Sequence, residues 1–219
     1  AYLGAFPIAR ALALGADIVI TGRIVDSALA VGPLIHEFGW NPADYDLLAA
    51  GSTIGHILEC GAQASGGLFT DWQQIEDYSN IGYGIAEVRA DGTAIITKPR
   101  GTGGIVCVGS VAEQLVYEID DPCTYRLPDV TVDFSGVRFE QAGEDEVLMT
   151  GAKGRPPGPD YKVNANWDDG WFGAMGFYIR GPDAAAKARR NAESSFKRAR
   201  AMLLERNMAP LRRTNIEVV

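Results

Sequence analysis

Hydrophobic positions in the first part of the chain follow helical spacing, interrupted by one short continuous run. Residues 5–14 and 26–36 carry apolar side chains three or four positions apart, which predicts two helices. Between them, residues 17–22 form a run rich in β-branched side chains, which is typical of a buried parallel strand. This helix–strand–helix order predicts an α/β fold with a partly parallel sheet and flanking helices.

The second half of the chain has a different pattern, with alternating positions that indicate antiparallel strands. Asp91-Gly92 lies between two alternating runs and predicts a hairpin with a type I′ turn. We therefore expect an α+β second half that ends in a long helix, with lobes at 1–84 and 85–219 of one larger α/β domain. The predicted helices are 52–60, 108–119 and 182–205, and the predicted strands are 85–88, 94–97, 130–140, 146–151, 161–167 and 171–179.

Composition is that of an ordinary globular protein and excludes several classes of function. The chain has 219 residues, 47% of them hydrophobic, and a formal net charge of −8, which argues against nucleic-acid binding. No apolar run approaches the roughly 20 residues that cross a bilayer, so we expect no membrane partner. The three cysteines are far apart, which indicates neither a zinc site nor a disulfide framework and favours a reducing, cytoplasmic location. Residues 187–213 are basic, and both ends read as interior segments of a longer chain.

The first candidate site follows the predicted strand 17–22. Arg23 comes directly after it, and Asp26 lies one turn later. Ligands of open α/β sheets bind outside the carboxyl ends of strands, and a guanidinium group can hold a carboxylate or phosphate. The alternative is that Arg23 and Asp26 pair with each other or cap the next helix.

The second candidate site is a histidine with two reactive neighbours. On a helix, His56, Glu59 and Cys60 share one face, because they stand at positions i, i+3 and i+4. A His beside a carboxylate is an acid/base pair, and a Cys beside a His can become a nucleophile. The alternative is a tightly packed helix with a buried cysteine. We expect no metal here, since the neighbouring sequence offers no third ligand.

The third candidate site is a glycine-rich loop before a predicted helix. Lys98 precedes the run Gly101, Thr102, Gly103 and Gly104, which lacks both the Walker and the dinucleotide-binding spacing. Free backbone N–H groups at a helix N-terminus bind anions, so the loop is a candidate for holding a carboxylate or phosphate. The alternative is a plain exit loop from the hairpin.

Several blocks of the chain, in one order, resemble the acyclic terpene utilisation (AtuA) family. They lie at residues 15–26, 55–67, 95–104, 113–118 and 133–135. The resemblance implies a bacterial-type cytoplasmic protein of acyclic terpene catabolism, a route that runs through branched acyl-CoA thioesters. It implies no established catalytic residues.

Two hypotheses of different classes follow. In the first, the protein is an enzyme or enzyme subunit, with a lyase-like step on a carboxylate or acyl-CoA substrate. His56 is its acid/base, oriented by Glu59, and Arg23, Lys98 and the glycine loop hold the substrate in the same cleft. In the second, the protein is a non-catalytic partner that binds and organises a catabolic complex. The expected partners are a small-molecule substrate and either a second copy of the chain in a homo-oligomer or a catabolic partner protein. The cofactor is left open, with a CoA thioester as one option for the substrate.

Overall fold

The computed structural model describes residues 1–219 and contains five α-helices and two antiparallel sheets. The chain divides into two compact units, residues 1–165 (unit 1) and residues 166–219 (unit 2). Unit 1 holds four of the helices and all seven strands, so residues 85–155 belong with the helices that precede them. No helix is both long enough and apolar enough to cross a membrane.

Three helices form the first half of unit 1, in place of the partly parallel sheet that the sequence predicts. They are α1 (Phe6–Ala13), α2 (Ala28–Phe38) and α3 (Tyr45–Leu58). The predicted strand at 17–22 is wrong: the segment pairs with no strand, and Ile18 and Ile20 are 82% and 93% exposed. A β-branched run becomes a strand only where another strand can complete its hydrogen bonds, and nothing in unit 1 lies there to do so.

The second half of unit 1 contains both sheets and one further helix. Its elements are β1 (Ile85–Val88), β2 (Ala94–Thr97), α4 (Val108–Val116), β3 (Tyr125–Arg126), β4 (Thr131–Asp133), β5 (Arg138–Gly143), β6 (Glu146–Thr150) and β7 (Lys153–Arg155). The strand order is β1-β2-β6-β5 in one sheet and β3-β4-β7 in the other, and every pairing is antiparallel. The antiparallel second half is therefore confirmed.

Two turns of unit 1 differ from the sequence prediction. The hairpin β1–β2 has the predicted bounds, but only Gly92 of the Asp91-Gly92 pair has a positive φ, of 83°. The turn is therefore not type I′, which needs positive φ at both central residues. The predicted strand 130–140 is broken at residues 134–137, where Ser135 and Gly136 make a turn between β4 and β5.

Helix α3 is the centre of unit 1. Ten consecutive residues, from Leu48 to Ile57, are buried, which is the pattern of a helix surrounded by protein on all sides. Its first half packs in a cluster with α1, α2 and the sheet of β4, whereas Ile54 and Ile57 pack with the sheet of β2 and β6. Small residues permit this close packing, and Gly55 is the tightest of them: a Cβ there would lie 2.7 Å from the Ser27 Cα.

Unit 2 consists of α5 (Ala184–Glu205) and two segments without regular structure. The long C-terminal helix is confirmed. The predicted hairpin of 161–167 and 171–179 is wrong, because neither segment forms a strand. Its aromatic side chains are exposed, with Trp171 and Tyr178 at 103% and 99%, so no apolar contact holds the two segments together.

Candidate functional site

His56 lies inside the protein and joins α3 to α4. Its side chain is 3% exposed, Nδ1 is 3.0 Å from the Glu59 Oε1, and Nε2 is 3.2 Å from the Leu115 carbonyl oxygen. The ring stacks on Phe134 at 6.4 Å and contacts Tyr125 at 5.9 Å between ring centroids. Both ring nitrogens are thus engaged, and the ring faces aromatic side chains.

The partners of His56 determine where its protons sit. A carbonyl oxygen and a carboxylate are both hydrogen-bond acceptors, and a neutral imidazole has only one N–H. Both contacts are therefore hydrogen bonds only when the ring carries two protons or when Glu59 carries one. Leu115 lies in the last turn of α4, where carbonyls lack helical partners, so a donating His56 completes the end of that helix and suits its negative pole.

A side chain of α4 also binds the backbone of α3. Gln114 is fully buried and donates from Nε2 to the His56 carbonyl oxygen at 2.8 Å. Its Oε1 is the buried side-chain atom that lacks a hydrogen-bond partner. Gln114 also lies beside Cys60, and this contact acts on the pKa of the thiol.

Cys60 lies among carboxylates at the end of α3. Burial raises the pKa of the Cys60 thiol; the hydrogen bond with Gln114 opposes this, and Glu59, Glu118 and Asp26 raise it further. The same carboxylates act on Tyr125, whose pKa burial raises to about 12. The surroundings therefore favour the neutral thiol, which is the poor nucleophile.

Arg23 and Asp26 form a pair, as the alternative interpretation of the first candidate site expects. Their closest charged atoms are 3.9 Å apart, and both side chains are more than half exposed. Arg23 also donates to the Tyr2 hydroxyl at 2.7 Å, and its guanidinium group lies 4.3 Å from the centre of the Tyr2 ring. This hydrogen bond raises the pKa of Arg23 further. Tyr2 therefore holds the guanidinium group in place.

The glycine loop lies at a separate cleft. Lys98 is nearly buried, pairs with Asp145 at 2.9 Å, and donates to the Thr102 carbonyl oxygen at 2.9 Å. The cleft encloses about 790 Å³ and does not include His56. Its lining adds the carboxylates of Glu76, Asp77 and Glu144, which make it acidic.

Protein atoms already occupy four of the N–H groups at this loop and at the start of α4. Asp145 accepts from the Val106 N–H at 2.8 Å, and Gln141 accepts from the Val108 N–H at 3.2 Å. Two positions further along α4, the Ser110 N–H bonds the Cys107 Sγ within a capping box. The Gly103 N–H bonds the Asn80 carbonyl oxygen at 2.8 Å. The glycines here serve close packing: a Cβ on Gly104 would lie 2.8 Å from the Ile81 side chain.

The structure thus brings together two of the three predicted segments. Asp26 lies close enough to Cys60 and Tyr125 to act on the pKa of each, whereas the glycine loop lines a cleft without His56. The roles assigned to these residues stay predictions. Sequence reasoning missed Gln114, Leu115, Tyr125, Asp145 and Tyr2, because each is far along the chain from the residue it contacts. No His, Cys, Asp and Glu side chains are grouped as a metal site.

Comparison with known proteins gives one match. The model of the acyclic terpene utilisation family, protein AtuA, matches residues 1–218. No curated protein and no solved structure matches the chain. The family match spans nearly the whole sequence, and the chain belongs to the acyclic terpene utilisation (AtuA) family.

Proposed function

We propose that this member of the acyclic terpene utilisation family works in the cytoplasm as a binding subunit of a catabolic assembly. Its partner in this proposal is an enzyme that handles the branched acyl-CoA intermediates of the route. The observation that carries the proposal is an aromatic segment, residues 167–178, that the protein leaves uncovered.

The aromatic segment has the composition of an interface. Trp167, Trp171, Phe172 and Met175 are 80%, 103%, 93% and 77% exposed. Trp and Met are enriched at protein interfaces, and Trp is also enriched among the residues that dominate binding energy. Large exposed apolar patches mark interaction sites on proteins, and the closeness of these side chains along one short segment is the basis for proposing one here.

The surroundings of the candidate catalytic residues His56 and Cys60 support the same proposal. His56 has both ring nitrogens engaged and does not line the cleft at Lys98, and Cys60 has nearby carboxylates that oppose its ionisation. An acid/base or a nucleophile needs a free atom within reach of a substrate. A binding role needs neither.

The test is co-purification from cells grown on an acyclic terpene. We compare the wild-type protein with the triple variant Trp167→Ser, Trp171→Ser, Phe172→Ser, and quantify the co-purifying acyl-CoA enzymes by mass spectrometry. The control variant, Leu14→Ser, Ile18→Ser, Ile20→Ser, removes equally exposed apolar side chains from another place. We expect the first variant to lose a pathway enzyme that the control retains. If both variants retain the same enzymes, or none co-purifies with wild type, the proposal is wrong.

A second candidate function, an enzyme acting on a carboxylate or acyl-CoA substrate, is favoured by the cleft at Lys98. The cleft of about 790 Å³ has the size of a ligand pocket, and Lys98 is a cation at its wall. An anionic group would bind there by taking the place of Asp145 on the ammonium group.

Thermal unfolding with free CoA, acetyl-CoA and a branched glutaryl-CoA tests this candidate. A ligand at about 100 times its Kd adds roughly 2.7 kcal/mol to the free energy of unfolding. The shift should vanish in Lys98→Ala and persist in Lys153→Ala, which removes another lysine paired with an aspartate. No shift with any of the three ligands would remove this candidate.

A further inference from the structure

Helix α5 presents an exposed basic face. None of its 22 residues is buried. At 3.6 residues per turn, four cations fall on one side of the helix and are exposed. These are Lys187, Arg190, Lys197 and Arg198. Glu205 falls on the same side at the end of the helix and pairs with Arg198 at 3.9 Å, so the face keeps an excess of positive charge. The partly buried side chains Ala188, Ala192, Phe196 and Ala199 fall on the other side, so the basic face is not the one that packs within unit 2.

Charge is divided unequally between the two units. Unit 2 carries ten basic and six acidic residues, a net charge of +4, whereas unit 1 carries ten basic and 22 acidic residues, a net charge of −12. Unit 2 of one copy and unit 1 of another copy therefore attract each other electrostatically. Complementary charge steers association and fixes which surfaces meet.

We propose that the basic face of α5 docks on the acidic unit 1 of a second copy of this chain. Every copy has one basic helix and one acidic unit. In a symmetric dimer, α5 of each copy therefore contacts unit 1 of the other, and the same contact forms twice. A nucleic acid or an anionic membrane fits less well as the partner, because unit 1 belongs to the same chain as α5 and its negative charge repels both. This inference stands apart from the binding function proposed above, since it uses α5 and not the aromatic segment.

The test measures the mass of the full chain in solution by size-exclusion chromatography with light scattering. We expect a dimer at low salt that dissociates as salt rises, because the Debye length falls from about 10 Å at 0.1 M to about 3 Å at 1 M. The variant Arg190→Glu, Lys197→Glu should weaken the dimer at least about tenfold. The control Arg10→Glu, Arg89→Glu makes the same change of charge at exposed positions of unit 1 and should leave the dimer intact. Both variants should retain the wild-type helical signal in circular dichroism.

Mixing the wild-type protein with the α5 variant tests whether each dimer contains the contact between α5 and unit 1 twice. The mixed dimer keeps one of the two contacts, so its Kd should fall between those of the two pure dimers. A monomer at every concentration, with or without salt-dependent compaction, would overturn the proposal. So would a dimer that the α5 variant leaves unchanged, or a monomer that binds heparin through α5.

Discussion

Replacing His56 by alanine should lower the stability of unit 1 severely. The substitution removes the contacts of the ring to Glu59 at 3.0 Å and to the Leu115 carbonyl oxygen at 3.2 Å. It also empties the space beside the rings of Phe134 and Tyr125, which contact each other with their centroids 5.5 Å apart. Alanine offers no group that replaces either hydrogen bond, and water has little access to a side chain that is 3% exposed.

The size of the loss follows from these contacts. Each hydrogen bond contributes about 1 kcal/mol net, and a buried acceptor left without a partner costs about 1–3 kcal/mol. The lost packing of the ring adds a cavity cost of order 1 kcal/mol or more. We expect a loss of about 3–4 kcal/mol for His56→Ala. His56→Phe fills the cavity and loses only the hydrogen bonds, so it should cost about 2 kcal/mol.

Urea unfolding followed by far-UV circular dichroism measures the loss. The control is His36→Ala, which removes the other histidine of the chain from an exposed position on α2. It should change the free energy of unfolding by less than about 0.5 kcal/mol. If His56→Ala unfolds within about 1 kcal/mol of wild type, the ring does not join α3 to α4 as described. If it also abolishes a measured turnover without loss of stability, His56 is catalytic.

Three further predictions concern close packing, pH and thiol reactivity. Gly55→Ala should lower the free energy of unfolding by about 1–3 kcal/mol, because its Cβ would meet the Ser27 backbone, and urea unfolding checks this. Burial raises the pKa of Asp129 in the folded protein, so this carboxyl takes up protons on folding. Its contribution to stability should rise as the pH falls from neutral through the raised pKa, until the unfolded carboxyl is also protonated near its ordinary pKa of about 4. Asp129→Asn should lack this part of the pH dependence, and equal slopes for the two proteins in urea unfolding would contradict the prediction. Cys60 should react with iodoacetamide more slowly than the exposed Cys123 at pH 7, since burial and the nearby carboxylates raise the pKa of the Cys60 thiol. Mass spectrometry gives both labelling rates, and faster labelling of Cys60 would refute the description of its surroundings.

Elements with local causes could be predicted from the sequence. The hairpin β1–β2 has the expected bounds because a short turn fixes its register. Helix α5 ends at Glu205 as expected and begins at Ala184, two residues after the predicted start. The segment 17–22 and the pair 161–167 and 171–179 have equally strong strand patterns, and neither forms a strand. The pattern records which side chains favour a strand; it carries no information about which neighbouring strand is there to pair with them.

The candidate site divides in the same way. The spacing of His56 and Glu59 predicts their contact, which the helix alone produces. The second partner of the ring, Leu115, is 59 residues away, and Asp145 is far along the chain from Lys98. The packing of the whole unit decides such contacts. The sequence predicts that His56 is an acid/base, whereas in the folded unit both of its ring nitrogens already contact other groups.

The strand order β1-β2-β6-β5 has a consequence for how the protein reaches this structure. The sheet consists of two hairpins, β1–β2 and β5–β6, each closed by a short turn. The contact β2–β6 joins residues far apart in the chain, such as Ala94 and Met149, which are 55 positions apart. Hairpins form in about 1–10 μs, whereas joining distant segments must first overcome the entropy of closing a long loop. The β2–β6 seam therefore forms late in folding, and Lys98 and Asp145, which flank it, meet only once both hairpins exist. Until then each hairpin exposes an unpaired edge, which makes this stage the one at which newly made chains are most open to aggregation.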